Sequence, residues 1–177
     1  MADDKPKWMD YLAISTVLIA VCATLSTFKG GGYSTKSLLN QAKASDQWAL
    51  YQSKSIKSYI YDLQKENLEL QISAGTNKSN KHADSVYTAK AEGYAKKVTK
   101  YSEEKEQIKK EAENYEQVRD EAKKHSERFG LAVIFLQVSI LLSSIAALAK
   151  QKTVWLLSMA IGVVGIAYFL NGFFLLW

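Results

Sequence analysis

The sequence predicts an all-α membrane protein with three transmembrane helices and a long antiparallel, coiled-coil-like helical hairpin between the first and second spans. Charged residues are segregated along the 177-residue chain, and the blocks 11–28, 129–149 and 154–177 contain none. A soluble protein would mix charged and apolar residues along amphipathic faces. In addition, apolar residues recur every seven positions between the first two blocks, which is typical of paired helices.

The three uncharged blocks have the length of membrane spans. A bilayer core of ~30 Å requires about 20 apolar residues at a rise of ~1.5 Å each. Residues 1–29 are therefore assigned to an N-terminal tail and the first span. Residues 129–177 hold the second and third spans, joined by a short turn at 150–153. A signal peptide is the alternative for the first block, and Asp3 and Asp4 weaken it because its leading region should be positive.

The glycines that follow the first span predict a hinge at residues 30–33. Gly30, Gly31 and Gly32 are expected to end the first span, and Ser34 is expected to cap a new helix. Glycine adopts backbone conformations that other residues avoid, so this segment could change the direction of the chain. A plain helix cap without motion is the alternative.

Residues 34–128 are expected to form the hairpin, with its tip at about 73–80, where Gly, Ser, Thr and Asn cluster. Two series of residues spaced by seven predict the seam between its helices. They are Ala42, Ala49, Ile56, Leu63 and Leu70 on the outgoing helix, and Tyr87, Tyr94, Tyr101, Ile108 and Tyr115 on the return helix. A buried tyrosine hydroxyl needs a partner. The tyrosines therefore indicate either a wide, partly wet seam or rings that cover the flank of the hairpin.

Polar side chains within the spans suggest contacts between membrane helices. Gln137 and Asn171 are the strongly polar candidates, and each could form an interhelical hydrogen bond worth ~0.6–2 kcal/mol. The spans contain no ionisable Asp, Glu, Lys, Arg or His, which argues against a pump or transporter built by one chain.

Four strings together resemble a bacterial membrane-protein family known only as a domain of unknown function (DUF 4337): VCATLSTFKGGGYST, ASDQWALYQSKSIK, FGLAVIFLQVSILLSSIAAL and NGFFLLW. The resemblance covers nearly the whole chain. It implies three spans, a central helical region and a multi-pass location in the bacterial inner (cytoplasmic) membrane. It supplies neither an activity nor catalytic residues.

An enzyme is not expected. His82 and His125 lie on one predicted helix, about 65 Å apart, and no catalytic, metal-binding or phosphate-binding motif occurs. No cofactor or small-molecule substrate is therefore inferred. A nucleic-acid partner is not inferred either, because the formal charge of +5 is spread over mixed Lys and Glu runs. Membrane lipid and other copies of the chain are the expected partners, and another membrane complex is the alternative.

The expected function is therefore an oligomeric membrane scaffold or an accessory subunit of a membrane complex. The alternative is a homo-oligomeric pore or mechanosensitive-type channel with a glycine hinge. Hydroxyl side chains on the first span would suit a pore lining; they are Ser15, Thr16, Thr24, Ser26 and Thr27. Basic residues near the spans favour a hairpin in the cytoplasm, although lysines at both ends leave the orientation open.

Overall fold

A computed structural model describes residues 7–74 and 81–176 of the chain. These residues form three α-helices: α1 at Trp8–Ser73, α2 at Lys81–Ala149 and α3 at Lys152–Phe174. Each helix is long and apolar enough, by length and composition, to cross a membrane. The predicted all-helical class with three such helices is confirmed. Most of the predicted hairpin tip lies outside the described residues.

Helix α1 continues through the glycines at which the first span was predicted to end. The prediction that Gly30–Gly32 terminate one helix and that Ser34 caps another is wrong, since α1 is unbroken from Trp8 to Ser73. A glycine inside a helix costs ~1 kcal/mol relative to alanine. The packing of the long helical segments on either side of the glycines stabilises the helix by more than this local preference costs. Whether these glycines act as a hinge during motion stays a prediction.

Helix α2 also passes through its glycines, Gly93 and Gly130, without a break. It ends at Ala149, where Lys150 adopts a left-handed conformation with φ of 49°. The Gln151 backbone N–H then donates to the Ala146 carbonyl over 3.1 Å. This closes the helix end in the manner usual for a left-handed cap. The link to α3 is therefore shorter than the predicted turn at 150–153.

The chain divides into two compact units. The first unit contains the chain up to Leu39 and from Val118 onward, and so includes α3. Its core is small, formed by Ile19, Ala23, Ala132 and Leu136. Glycines of α3 pack directly on it, since a Cβ on Gly162 would lie 2.9 Å from Ile19 Cδ1 and one on Gly165 would lie 2.8 Å from Leu136 Cγ. Small residues at these positions let the helices approach closely.

The second unit is Asn40–Gln117, made of one segment of α1 and one of α2. Gln47 contacts Glu111, Lys54 contacts Glu104, and the ring of Tyr61 lies 5.6 Å from that of Tyr94. The residue number of the partner on α2 therefore falls as the residue number on α1 rises. Alanines such as Ala44 and Ala112 are almost fully buried in this unit.

Candidate functional site

Polar contacts join α1 and α2 in the second unit. Trp48 Nε1 donates a hydrogen bond to Glu116 Oε1 over 3.0 Å, and Gln47 Nε2 donates to Glu111 Oε2 over 3.0 Å. Lys54 forms an ion pair with Glu104, whose side chain is 30% exposed. Hydrogen bonds of this kind define which residues face each other, because an unpaired partner would lose its compensation for desolvation.

The electrostatics of this seam act on Glu104. The hydrogen bond from Lys54 lowers the pKa of Glu104 below its ordinary value, with desolvation opposing it. The charges of Lys54, Lys100 and Lys57 lower it further. Glu104 therefore stays ionised to a lower pH than an isolated glutamate would.

Aromatic rings fill the rest of the seam. The Tyr61 ring lies 5.6 Å from the Tyr94 ring and stacks on the Tyr101 ring at 5.8 Å, measured between centroids. Lys97 Nζ lies 4.6 Å from the centroid of the Tyr61 ring. Lys43 lies over the ring of Tyr115 at 5.5 Å. Lysines over tyrosine faces are attracted by the ring quadrupole.

The residues predicted on the α2 side of the seam therefore have different degrees of burial. Ile108 is buried, and Tyr87, Tyr94, Tyr101 and Tyr115 are half-buried. Lysine ammonium groups lie over the rings of Tyr94, Tyr101 and Tyr115.

On α1 the predicted seam is wrong. All five of its residues are exposed rather than packed against α2, and we call them the outer stripe: Ala42, Ala49, Ile56, Leu63 and Leu70. Ile56 is 61% exposed, Leu63 47% and Leu70 67%. The face that α1 turns towards α2 carries Gln47, Lys54 and Tyr61 instead.

Matching chemistry on α2 accompanies this choice of face. Lys97, Glu104 and Glu111 are also spaced by seven, and they contact Tyr61, Lys54 and Gln47 in turn. Turning the outer stripe inward would separate these pairs, although each contributes little to stability because its groups are exposed or partly exposed. The polar series on α1 was visible as a second seven-residue repeat in the sequence.

In the first unit, the predicted hinge glycines have different surroundings. Gly30 is buried, its carbonyl accepts a hydrogen bond of 3.1 Å from Ser126 Oγ, and a Cβ placed on it would lie 3.0 Å from Phe129 Cβ. Gly31 and Gly32 are exposed, and a Cβ on either would meet nothing within 4 Å. Gly30 therefore permits close helix packing, whereas its two neighbours leave an open surface.

Serines and glycines join α2 to α3. Ser139, Ser143 and Ser158 are fully buried. Ser158 Oγ donates to the Ser139 carbonyl over 3.0 Å and lies 2.6 Å from Ser143 Oγ. Beside them, a Cβ on Gly162 would lie 2.9 Å from Ser139 Oγ. The serine hydroxyls of the cluster thus hydrogen-bond within the protein.

The two polar residues predicted to make intramembrane contacts differ in position. Asn171 is fully buried, and its Oδ1 accepts a 2.7 Å hydrogen bond from the Leu176 backbone N–H at the end of α3. Gln137 is exposed on α2. Asn171 thus forms a cap to its own helix. An interhelical contact of Gln137 stays a prediction.

A histidine contact lies near the same end of α3. His125 Nδ1 is 2.8 Å from the Gly172 carbonyl oxygen, and the ring stacks on Tyr33 at 4.4 Å. Since a carbonyl can only accept, Nδ1 carries the hydrogen in this contact. No sequence pattern pointed to this contact, because its three residues come from three different helices.

Within residues 7–74 and 81–176, no group of three His, Cys, Asp or Glu side chains is arranged to hold a metal ion. The described part of the chain is better characterised by its surfaces than by any pocket with convergent chemical groups. The outer stripe is the most distinctive of these surfaces.

The sequence was compared with known protein families, curated proteins and solved structures. A family model described as a domain of unknown function (DUF4337) matches residues 8–175. No curated protein and no solved structure matches the sequence.

Proposed function

This chain belongs to the DUF4337 family, and we propose that it is an oligomeric integral membrane scaffold or an accessory subunit of a membrane complex. The family description names no activity. In this proposal α1 and α2 form an antiparallel hairpin outside the bilayer. The hairpin presents a helical surface to other copies of the chain or to a partner complex. The proposed location is the bacterial inner membrane, with the hairpin in the cytoplasm.

The pattern of burial in the first unit supports membrane insertion. Large apolar side chains point outward from all three helices, and they include Ile14, Val17, Leu18, Leu141, Leu148, Leu156 and Val163. Small and polar residues such as Ser139, Ser158 and Gly162 are buried between the helices. An apolar exterior of this kind is favourable when lipid chains surround it and unfavourable in contact with water.

The order of contacts in the second unit supports the antiparallel hairpin. Partners on α2 run backwards along the chain, from Glu111 opposite Gln47 to Tyr94 opposite Tyr61. Two helices that are joined by a short connection pack in this direction.

The observation that carries the scaffold proposal is the exposure of the outer stripe. The hairpin closes its own seam with polar and aromatic pairs and leaves a line of apolar side chains on its surface. Contiguous exposed apolar residues on a protein surface mark sites of association with another molecule. An assembly role explains why α1 combines such a line with a highly charged partner helix.

The experiment tests membrane insertion and assembly together. Membranes from cells that express the full chain are washed with alkaline carbonate and solubilised in a mild detergent. The protein mass within the micelle is then measured by light scattering. We expect the chain to remain in the membrane pellet and to give a mass that is a multiple of 19.8 kDa.

The same sample unfolded in sodium dodecyl sulfate provides the monomer reference. Release into the carbonate supernatant would contradict membrane insertion. A monomeric mass in several mild detergents, without cross-links to any other protein in intact membranes, would contradict the scaffold role.

A pore receives less support from the first span. The hydroxyl of Thr16 donates to the Leu12 carbonyl over 2.7 Å, and Thr24 donates to Ala20 over 2.9 Å. Ser15, Ser26 and Thr27 likewise donate to carbonyls of their own helix. Their burial also varies from fully buried Ser26 to exposed Thr24. These hydroxyls serve the helix backbone and do not define one water-facing line. Unitary currents recorded from the purified protein in planar bilayers would support the pore as its function instead.

A further inference from the structure

The outer stripe is flanked by further exposed positions of α1. At ~100° per residue, eight positions between Ala42 and Leu70 lie within about 60° of the nearest stripe residue. They are Ser45, Asp46, Gln52, Ser53, Tyr59, Ile60, Glu66 and Asn67. All eight are exposed, and the two charged ones, Asp46 and Glu66, lie towards the two ends of the stripe. Between Ala49 and Leu63 the stripe and its flanks form a neutral surface, on a unit whose other exposed positions are rich in Lys and Glu.

The spacing of the outer stripe specifies the shape of its partner. Apolar residues at intervals of seven stay aligned with another helix when the two wind around each other. A globular partner with a compact pocket would require a cluster rather than a line. The absence of charge on the stripe also excludes recognition of an acidic or basic segment. The matching partner is therefore a long helix with a neutral, apolar line of its own.

The second unit contains one such line. Among the described side chains of α2 from residue 84 to 117, Val86 is the large apolar side chain that is exposed, at 39%. The other outward positions are mostly charged or polar, among them Lys90, Lys96, Lys100, Glu103, Lys110 and Glu113. A head-to-tail contact between the stripe and α2 of a neighbour would therefore bury charges against apolar residues. A contact between two stripes would not.

We propose that the outer stripe is the contact surface for a second copy of this chain, stripe against stripe and in parallel. The proposal rests on the membrane scaffold proposed above, because two copies held in one membrane present their α1 helices in the same direction. A two-fold axis then brings equal residues together, so that Ile56 faces Ile56 and Leu63 faces Leu63 of the second copy.

The size of the surface sets the conditions for pairing. From Ala42 to Leu70 the stripe is about 42 Å long, and with a helix ~10 Å wide it could bury on the order of 400 Å² per copy. Stable soluble complexes bury about 800 Å² per partner. The stripe alone is therefore a weak contact in solution. Confinement to a membrane raises the effective concentration and compensates for the missing area.

Disulfide trapping between single cysteines tests the contact in membranes of cells that express the full chain. The native Cys22 is first replaced by alanine. Ile56→Cys and Leu63→Cys place a thiol on the stripe, while Lys57→Cys and Gln64→Cys place one on the adjacent, equally exposed positions. A neighbouring residue is turned by ~100° around the helix. The control cysteines therefore face a different direction from the stripe cysteines but lie at nearly the same position along α1.

We expect Ile56→Cys and Leu63→Cys to form dimers at least about fivefold faster than Lys57→Cys and Gln64→Cys under mild oxidation. Ala49→Cys and Leu70→Cys should also trap as single variants, which establishes the parallel direction. An antiparallel pair centred on Ile56 would instead join Ala49→Cys to Leu63→Cys, and this result would overturn the parallel arrangement.

Three other results would overturn the inference. The first is equal trapping at stripe and control positions. The second is the absence of trapped dimer although the mass in detergent is oligomeric, which would leave the scaffold proposal intact. The third is trapping of the stripe cysteines to a different protein alone. A protein that is monomeric and untrapped in all conditions would instead reject the scaffold proposal itself.

Discussion

The ring of Phe129 occupies the space that a side chain on Gly172 would need. A Cβ built on Gly172 would lie 2.8 Å from both Cδ1 and Cε1 of Phe129, and Phe129 itself is fully buried. The glycine on α3 and the phenylalanine on α2 therefore fit only as a pair.

Gly172→Ala should destabilise the first unit by about 1–3 kcal/mol, because the added methyl group overpacks a filled interior. Thermal unfolding in detergent, followed by circular dichroism, measures the effect. Gly31→Ala is the matched control, since a Cβ there meets nothing within 4 Å. That variant should gain about 1 kcal/mol from helix propensity. Equal effects of the two substitutions would show that the Phe129–Gly172 contact is not formed.

Ser158→Ala should weaken the packing of α3 on α2. It removes the hydroxyl that donates to the Ser139 carbonyl and contacts Ser143 Oγ. We expect a loss of about 0.6–2 kcal/mol, the range of polar contacts between membrane helices. Ser144→Ala is the control, because Ser144 is exposed and donates to the Ile140 carbonyl of its own helix. Unfolding in detergent that is unchanged by Ser158→Ala would contradict the buried serine cluster.

Acid should weaken the seam between α1 and α2 through Glu104. The hydrogen bond from Lys54 lowers the pKa of Glu104 relative to the ordinary value of 4.5. A group with a lowered pKa in the folded state contributes stability above its unfolded pKa, and this is lost as the pH falls through the folded pKa. The wild-type protein should therefore exceed Glu104→Gln in thermal midpoint at pH 7.

That difference should shrink as the pH falls below about 4.5. Glu106→Gln, two positions further along and exposed, is the control for the loss of one negative charge. A midpoint difference for Glu104→Gln that stays constant from pH 7 to pH 3 would contradict the role of the ionised pair. High salt at pH 7 should also reduce the difference, because exposed ion pairs are screened.

Composition and periodicity predicted the helices well, because both signals extend over many residues. The uncharged blocks predicted three helices that are each long enough to span a membrane. The break at Gly30–Gly32 was predicted incorrectly because it relied on the local preference of three residues. Burial of Gly30 against Phe129, which involves residues almost a hundred positions apart, had no sequence signal.

The seam was harder to predict for a different reason. A repeat of Ile56, Leu63 and Leu70 shows that one face of α1 is apolar, and it does not identify the molecule that covers that face. The face observed against α2 pairs Lys54 with Glu104, a match that the apolar repeat alone does not predict. Reading the second repeat on α1, formed by Gln47, Lys54 and Tyr61, together with the charges of α2 would have favoured the observed pairing.

The two faces of α1 also respond to dissolved ions in opposite directions. Lys54 and Glu104 attract each other less as ionic strength rises. Ile56 and Leu63 are driven from water more strongly when sulfate or phosphate is abundant. A concentrated kosmotropic medium would therefore weaken the ion pair between α1 and α2 while strengthening the proposed contact with a second copy. The balance between folding alone and assembling would follow the composition of the surrounding fluid.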